Sequence, residues 1–237
     1  MTKNVILFAV KTTHGRVLMV NILFDCPNIE DFVSELSPYF KKGDKVAVIA
    51  FSFYDDYVYD PQSWERLFGP GGNCYVETVE GLRPYGIDEK DICFINYFSD
   101  TKERARRVVE EADVVYFTGG LPDRMMDRIR DFELEDTLKK FDGVVIGYSA
   151  GAVIQLDEYH LYPDGDYSDF GYYEGLGYVS GFGHEVHYEF KPEQDESIRR
   201  FLSERGLTTY VTHTRLGGLV VENGTVKTIG KVDIYNP

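Results

Sequence analysis

The chain predicts an α/β fold built on a mostly parallel sheet, and three observations carry that prediction. Short apolar runs of strand length recur along its 237 residues. Charged stretches of helical length separate these runs, and strands alternating with helices are the signature of βαβ units. Toward the end the texture changes to closely spaced strands with turn signals, which predicts an antiparallel edge.

In chain order, the apolar runs at 5–10, 45–51, 91–97, 113–118 and 143–149 are the predicted strands. The segment 101–111 mixes charge with an apolar stripe and predicts a helix lying on the sheet, with Asp100 in position to cap it. Gly119 and Gly120 end the fourth run just before a helix containing Met125, Met126 and Ile129. Residues 155–180 are rich in Tyr, Asp and Gly and sustain neither period. They predict a long irregular loop across the sheet edge, and loops of that length are usually functional. Strands follow at 208–211, 218–221, 226–229 and 232–234, with Glu222-Asn223-Gly224 as a hairpin turn. No internal repeat or low-complexity linker interrupts the chain, so residues 1–237 read as a single domain.

Composition narrows the partners. A formal net charge of −15 would repel nucleic acid and anionic membrane surfaces alike. No apolar run approaches the roughly 20 residues of a spanning helix, and the first ten residues read as a strand rather than a signal peptide, which predicts a cytoplasmic protein. Cys26, Cys74 and Cys93 are too few and too scattered for a disulfide framework, and Cys93 reads as a small core residue. His184-Glu185-Val186-His187 is one residue too short for the zinc-helix pattern, so neither metal nor cofactor is expected. An aromatic content of 15% fits core packing and is compatible with a monomer or a homodimer.

The segment 144–154 is the most informative. A β-branched run leads into Gly147-Tyr148-Ser149-Ala150-Gly151, and small residues let a strand turn sharply into a helix. A serine at such a turn stands at the carboxyl end of the sheet, where open α/β sheets place their sites, although the same small residues would also serve tight packing alone. A neutral serine needs a base and a group that orients the base. Five histidines are available. His14 lies in a polar turn, and the directions of His160 and His213 cannot be read. His184 and His187 belong to a short predicted strand on which they point to opposite faces, so only one of them can face Ser149, and His187 is preferred. The amide of Ala150 and one from the Gly119-Gly120 turn are candidate oxyanion donors. The acid could be any of Asp157, Glu158, Asp164, Asp166, Asp169 or Glu174.

Taken together, these residues resemble the peptidase E family of serine peptidases, which includes aspartyl dipeptidase and, more distantly, cyanophycinase. The likeness runs through Val114-Val115-Tyr116-Phe117-Thr118-Gly119-Gly120, the elbow at Gly147-Tyr148-Ser149-Ala150-Gly151-Ala152, Glu174-Gly175-Leu176-Gly177-Tyr178, and His187. It implies a three-layer, flavodoxin-like sheet with helices on both faces. It also implies Ser149 as nucleophile, His187 as base, and the N–H groups of Gly120 and Ala150 as oxyanion hole. The acid of the family lies between serine and histidine, and Asp164 is nearest to it, with Asp166 and Asp157 as alternatives. The expected substrate is a short peptide or related amide. Two departures stand out. The family continues the glycine turn with Asn-Thr or Asn-Gln where this chain has Leu121-Pro122-Asp123. Its dipeptidases carry Thr-Ile-Arg after the elbow, whereas residues 157–161 here contain no arginine, which points away from N-terminal aspartate and toward a free amino terminus or a basic side chain. Two other readings compete: a non-catalytic member that binds a ligand or partner, favoured by the altered turn, and an α/β-hydrolase-type esterase, disfavoured by the short interval between serine and histidine.

Overall fold

The computed structural model describes residues 19–237, so the expected strand at 5–10, the reading of the first residues and His14 lie outside the described residues. Five parallel strands form the centre of the sheet: β1 (Val20–Phe24), β2 (Val46–Ile49), β3 (Ile92–Ile95), β4 (Val114–Phe117) and β5 (Val144–Tyr148). Two long antiparallel strands, β9 (Thr209–Glu222) and β10 (Thr225–Tyr235), close one side. The order is β10-β9-β1-β5-β4-β2-β3, and a further strand, β8 (Gly183–Tyr188), pairs in parallel with the first half of β9. From β2 onward, β3-β2-β4-β5 repeats the flavodoxin-like order. A separate two-stranded antiparallel sheet joins β6 (Glu158–Leu161) to β7 (Gly171–Glu174).

Strand residues alternate between two cores, and the helices divide in the same way. Val46, Val48, Val114, Tyr116 and Ile146 face a cluster with Leu36 of α1 (Val33–Leu36), Trp64 and Phe68 of α2 (Pro61–Phe68) and Leu82 of α3 (Asn73–Leu82). Ala47, Ile49, Val115, Phe117 and Val145 face the opposite cluster. That cluster holds Ala105 and Val109 of α4 (Lys102–Glu110), Met125, Met126 and Ile129 of α5 (Pro122–Asp131), Leu138 of α6 (Glu135–Lys140) and Ala152 of α7 (Ala150–Val153). Helices thus cover both faces, which gives the three-layer architecture and explains why the central strands are apolar on both sides. The last helix, α8 (Pro192–Arg205), packs Ile198 against Tyr188 and Val211.

Three local expectations are corrected, and one strand was not anticipated. The strand β1 carries no uninterrupted apolar run, because Asn21 sits in it; the Asn21 amide is buried and donates to Gln155 Oε1 at 3.0 Å, so a polar residue occupies a core strand at little cost. The cap of α4 is Thr101, whose hydroxyl accepts from the Arg104 N–H at 3.2 Å, while Asp100 instead takes the Asn96 N–H and the Arg104 guanidinium. The segment 155–180 is partly ordered by β6 and β7, whose cross-strand Tyr159 and Tyr173 stack at 5.7 Å. The four short terminal strands are two long ones, kinked at Arg215 and at Gly230, both with positive φ. The turn between them is the expected one: Asn223 and Gly224 both have positive φ, as a two-residue hairpin requires.

Candidate active site

The turn between β5 and α7 is shaped by its glycines. A Cβ on Gly147 would stand 2.0 Å from the Gly151 carbonyl oxygen, and one on Gly151 would stand 2.4 Å from that of Phe117. Strand, turn and helix can approach this closely only without those side chains. Between them Ser149 adopts φ 52° and ψ −118°, a sparsely populated region for a residue with a side chain. Its N–H donates to the Phe24 carbonyl at 2.9 Å, tying the turn to the end of β1.

The neighbouring loop after β4 is held against this turn. A Cβ on Gly119 would meet the Tyr148 ring at 2.5 Å and Ser149 Cβ at 3.1 Å, so the backbone of this loop lies beside the serine. Gly120 has φ 138°, and the Leu121 N–H that follows donates to the Ser52 carbonyl at 2.7 Å. Pro122 is the first residue of α5, a position whose N–H has no helical partner in any case, so the departure at Leu121-Pro122 removes no needed donor.

Ser149, Ala150, Gly120, His187 and Asp164 all border one cavity of about 270 Å³, together with Tyr54, Tyr162, Tyr167, His160, His184, Glu185 and Asp166. The sequence-predicted residues are therefore brought together. A larger hollow of about 910 Å³ between α4 and α6 contains none of them. The cavity is small, of a size for the end of a short chain rather than a folded substrate. Among the described residues, Asp164, Asp166 and Glu185 are the acidic residues on its wall, and neither lysine nor arginine borders it. The loop over it is tied down by Tyr54, which donates to Asp166, and Tyr167, which donates to Asp123, each at 2.7 Å. Burial and the Asp166 carboxylate push the Tyr54 hydroxyl up to about 12, so it remains a donor.

The expectation that His184 and His187 face opposite sides is corrected. On β8 the pairing passes from Glu185↔Val211 to Tyr188↔His213, three steps against two on β9, so one extra residue bulges out. His187 sits in this bulge with φ 54°, and the alternation of the strand is reset so that both histidines border the cavity. They differ in chemistry. The Thr212 hydroxyl donates to the Glu185 carbonyl, so the His184 Nε2–H donates to Thr212 Oγ1 at 3.2 Å and Nδ1 carries no proton. Burial holds His184 down to about 3, keeping it neutral. His187 is 42% exposed at its side chain, and burial lowers it from the ordinary histidine range with Glu189 opposing, so it remains a proton acceptor open to the cavity. His160 is paired with Glu185, and His213 Nε2 with Asp233 at 2.8 Å.

The predicted acids are engaged locally. Asp164 Oδ1 accepts the N–H groups of Asp166 and Tyr167 at 2.7 and 2.9 Å, Asp166 holds Tyr54, and Asp157 accepts the Glu158 N–H. The carboxylate recorded against His187 is Asp25, whose Oδ2 is 4.0 Å from His187 Nδ1. Asp25 is fully buried at the end of β1, and sequence reasoning missed it because Asn21 interrupts the apolar residues of that strand and left it illegible. Asp25, Cys26 and His187 place a carboxylate, a thiol and an imidazole within 4.8 Å of one another, the group of three potential metal ligands found among the described residues. Also among the described residues, no helix is long and apolar enough to cross a membrane.

Comparison with known proteins bears on the family and the fold. A family model described as peptidase family S51 matches residues 74–229, which span α3 through the start of β10 and include every predicted site residue. Among solved structures, a candidate peptidase E protein from Listeria monocytogenes EGD-e has a TM-score of 0.63 at 15% identity, covering 91% of this chain and 100% of its own. A peptidase from an acI-B1 Actinobacterium has a TM-score of 0.59 at 16% identity, covering 92% and 90%. No curated protein matches the sequence. At these identities the structural likenesses establish the fold, while the match over 74–229 bears on the family.

Proposed function

Because the chain belongs to peptidase family S51, and is a serine peptidase by that membership, we propose that it hydrolyses short peptides or related amides with Ser149 as nucleophile. The observation that carries this reading is the strained Ser149, held at φ 52° on the wall of a cavity it shares with His187, Gly120 and Ala150. A side chain kept in a costly conformation by a tightly packed turn is characteristic of a nucleophile elbow.

His187 takes the Ser149 proton as the hydroxyl attacks the scissile carbonyl. The N–H groups of Gly120 and Ala150 stabilise the oxyanion, and the imidazolium then gives its proton to the leaving amine. Water, activated by the same imidazole, releases the acyl group from Ser149. On the family resemblance Asp164 would be the orienting acid; the geometry around His187 raises Asp25 beside it.

The substrate we favour carries a positive charge near the scissile bond, as a free α-ammonium or a basic side chain. Asp164 and Asp166 give the mouth of the cavity a negative field, with no lysine or arginine among the described residues of its wall to offset it. The altered glycine turn no longer favours a non-catalytic role, since Pro122 stands at the first position of α5. A library of di- and tripeptides, incubated with wild type and with Ser149→Ala and read by mass spectrometry, tests both parts. Products formed only by wild type, enriched in cationic peptides, are expected. Equal products from both proteins, or none from either, would overturn the assignment of Ser149.

A further inference from the structure

We infer that Asp25 is the positioning residue of the base, its buried carboxylate orienting His187 through Nδ1 in place of an acid from the loop between Ser149 and His187. The inference rests on the proposed role of His187. It begins with topology. β1 pairs antiparallel with the second half of β9, Phe24 opposite Gly218, and β8 pairs in parallel with the first half, Tyr188 opposite His213. The carboxyl ends of β1 and β8 therefore converge on the stretch of β9 between His213 and Gly218. Arg215 lies there with φ 61°, and the kink turns its backbone N–H onto Asp25 Oδ2 at 3.1 Å, while its carbonyl accepts the Asn28 amide at 3.0 Å. The bulge on β8 delivers His187 to the same point, 4.0 Å from that oxygen. The two ends meet because both strands stop at one kink.

The carboxylate is positioned without freedom to do much else. Asp25 is fully buried and its Oδ2 is anchored by the Arg215 N–H, while among the described residues Oδ1 has no hydrogen-bond partner, a condition rare enough for a buried polar atom to call for an explanation. Phe24, the residue before it, accepts the Ser149 N–H, so a single dipeptide touches both the nucleophile turn and the base. A separation of 4.0 Å is longer than a hydrogen bond, and catalytic contacts of this kind are commonly long before substrate is bound. Asp164 is an exposed loop residue already turned onto two of its own backbone N–H groups, which suits a contact with substrate better than support of a buried imidazole edge.

Burial is the chief influence on the titration of each group. Burial pushes the Asp25 carboxyl up to about 6, against the lowering effect of the backbone N–H groups around it and of the Arg215 charge. The groups facing the pair are Cys26 on the same segment, Arg215 on β9, and Glu189 and His184 flanking His187. An ionised Asp25 would support the imidazolium that forms when His187 accepts the serine proton, as the buried acid of a triad does.

The test compares Asp25→Asn with Asp164→Asn on a peptide cleaved by wild type, with Ser149→Ala as control. Asp25→Asn is expected to lower kcat roughly 100-fold or more with KM changed by less than about threefold. Asp164→Asn is expected to raise KM for cationic peptides and to leave the pH profile of kcat where it is. Independently of turnover, a histidine NMR titration in the Ser149→Ala background should show the His187 pKa about one unit or more lower in Asp25→Asn. Wild-type kcat in Asp25→Asn, an unmoved His187 titration, or loss of wild-type activity to EDTA, which would make Asp25 and His187 metal ligands, each overturns the inference. If Ser149 proves dispensable for turnover, the proposed function fails while the titration still judges the pair. A thermal melt of Asp25→Asn at pH 8 no lower than that of wild type establishes that lost activity is not lost folding.

Discussion

Glu185 on β8 accepts a hydrogen bond from His160 Nε2 on β6 at 3.0 Å, with both side chains at most 3% exposed. This pair joins the small sheet to the main one beneath the cavity, and it makes one contribution to the pH dependence of stability. Burial raises the Glu185 carboxyl above its ordinary value, and His160 opposes that rise. A group whose folded pKa is raised contributes its stability below the unfolded value and loses it as pH rises through the folded one. Removing His160 raises Glu185 further. His160→Ala should therefore be destabilised only modestly near pH 4.5 and by about 3 kcal/mol at pH 8, where an unpartnered buried carboxylate must ionise. Urea denaturation at both pH values measures this, and an equal loss at both would show that the pair acts by packing alone.

The backbone at Ser149 separates chemistry from strain. Ser149→Ala removes the hydroxyl but keeps a Cβ at φ 52°, so stability should stay within about 0.5 kcal/mol of wild type. Ser149→Gly relieves the strain and should stabilise by about 1 kcal/mol. Both should lose at least about 1,000-fold in kcat. Thermal melts beside peptide turnover check the pattern.

Gly147 is a packing requirement. A Cβ there would stand 2.0 Å from the Gly151 carbonyl oxygen, a backbone atom that cannot rotate away. Gly147→Ala should cost about 3 kcal/mol by forcing β5 and α7 apart, with activity falling alongside as Ser149 moves. Equilibrium denaturation reads the first effect and turnover at 15 °C, where the variant is still folded, the second.

Arg128 is a remote support of the glycine turn. It is buried, donates to the Phe51 and Phe53 carbonyls at 2.6 and 2.8 Å, pairs with Asp55 at 2.7 Å and lies 3.7 Å over the Phe53 ring. The segment it holds includes Ser52, whose carbonyl receives the Leu121 N–H next to Gly120. Arg128→Met strands two carbonyls and should cost about 3 kcal/mol. It should also lower kcat more than it raises KM, because the donor at Gly120 loosens. Steady-state kinetics well below the melting temperature separates the two.

The pairing of Asp25 with His187 marks where sequence reading stops. Strands β2, β4 and β5 were legible because each is covered on both faces and so is written as a continuous apolar run, and β3, at the sheet edge and only partly buried, is apolar as well. The turn at Ser149 was legible because close approach of strand and helix demands glycine at 147 and 151, a constraint local to five residues. The hairpin at Asn223-Gly224 was legible for the same local reason, its positive φ values.

The chain by itself determined the α/β class and the glycines of the two turns at the carboxyl ends of β4 and β5, each a property of a few adjacent residues. Only the tertiary structure decided the rest. β1 was hidden because its Asn21 is satisfied by Gln155, a partner 134 positions away. The facing of His184 and His187 was decided by a bulge defined only against β9. The meeting of Asp25 with His187 was decided by a kink at Arg215, between the stretch of β9 that pairs with β8 and the stretch that pairs with β1. Such contacts join residues through a third element of the fold, and no period or spacing along the chain encodes them.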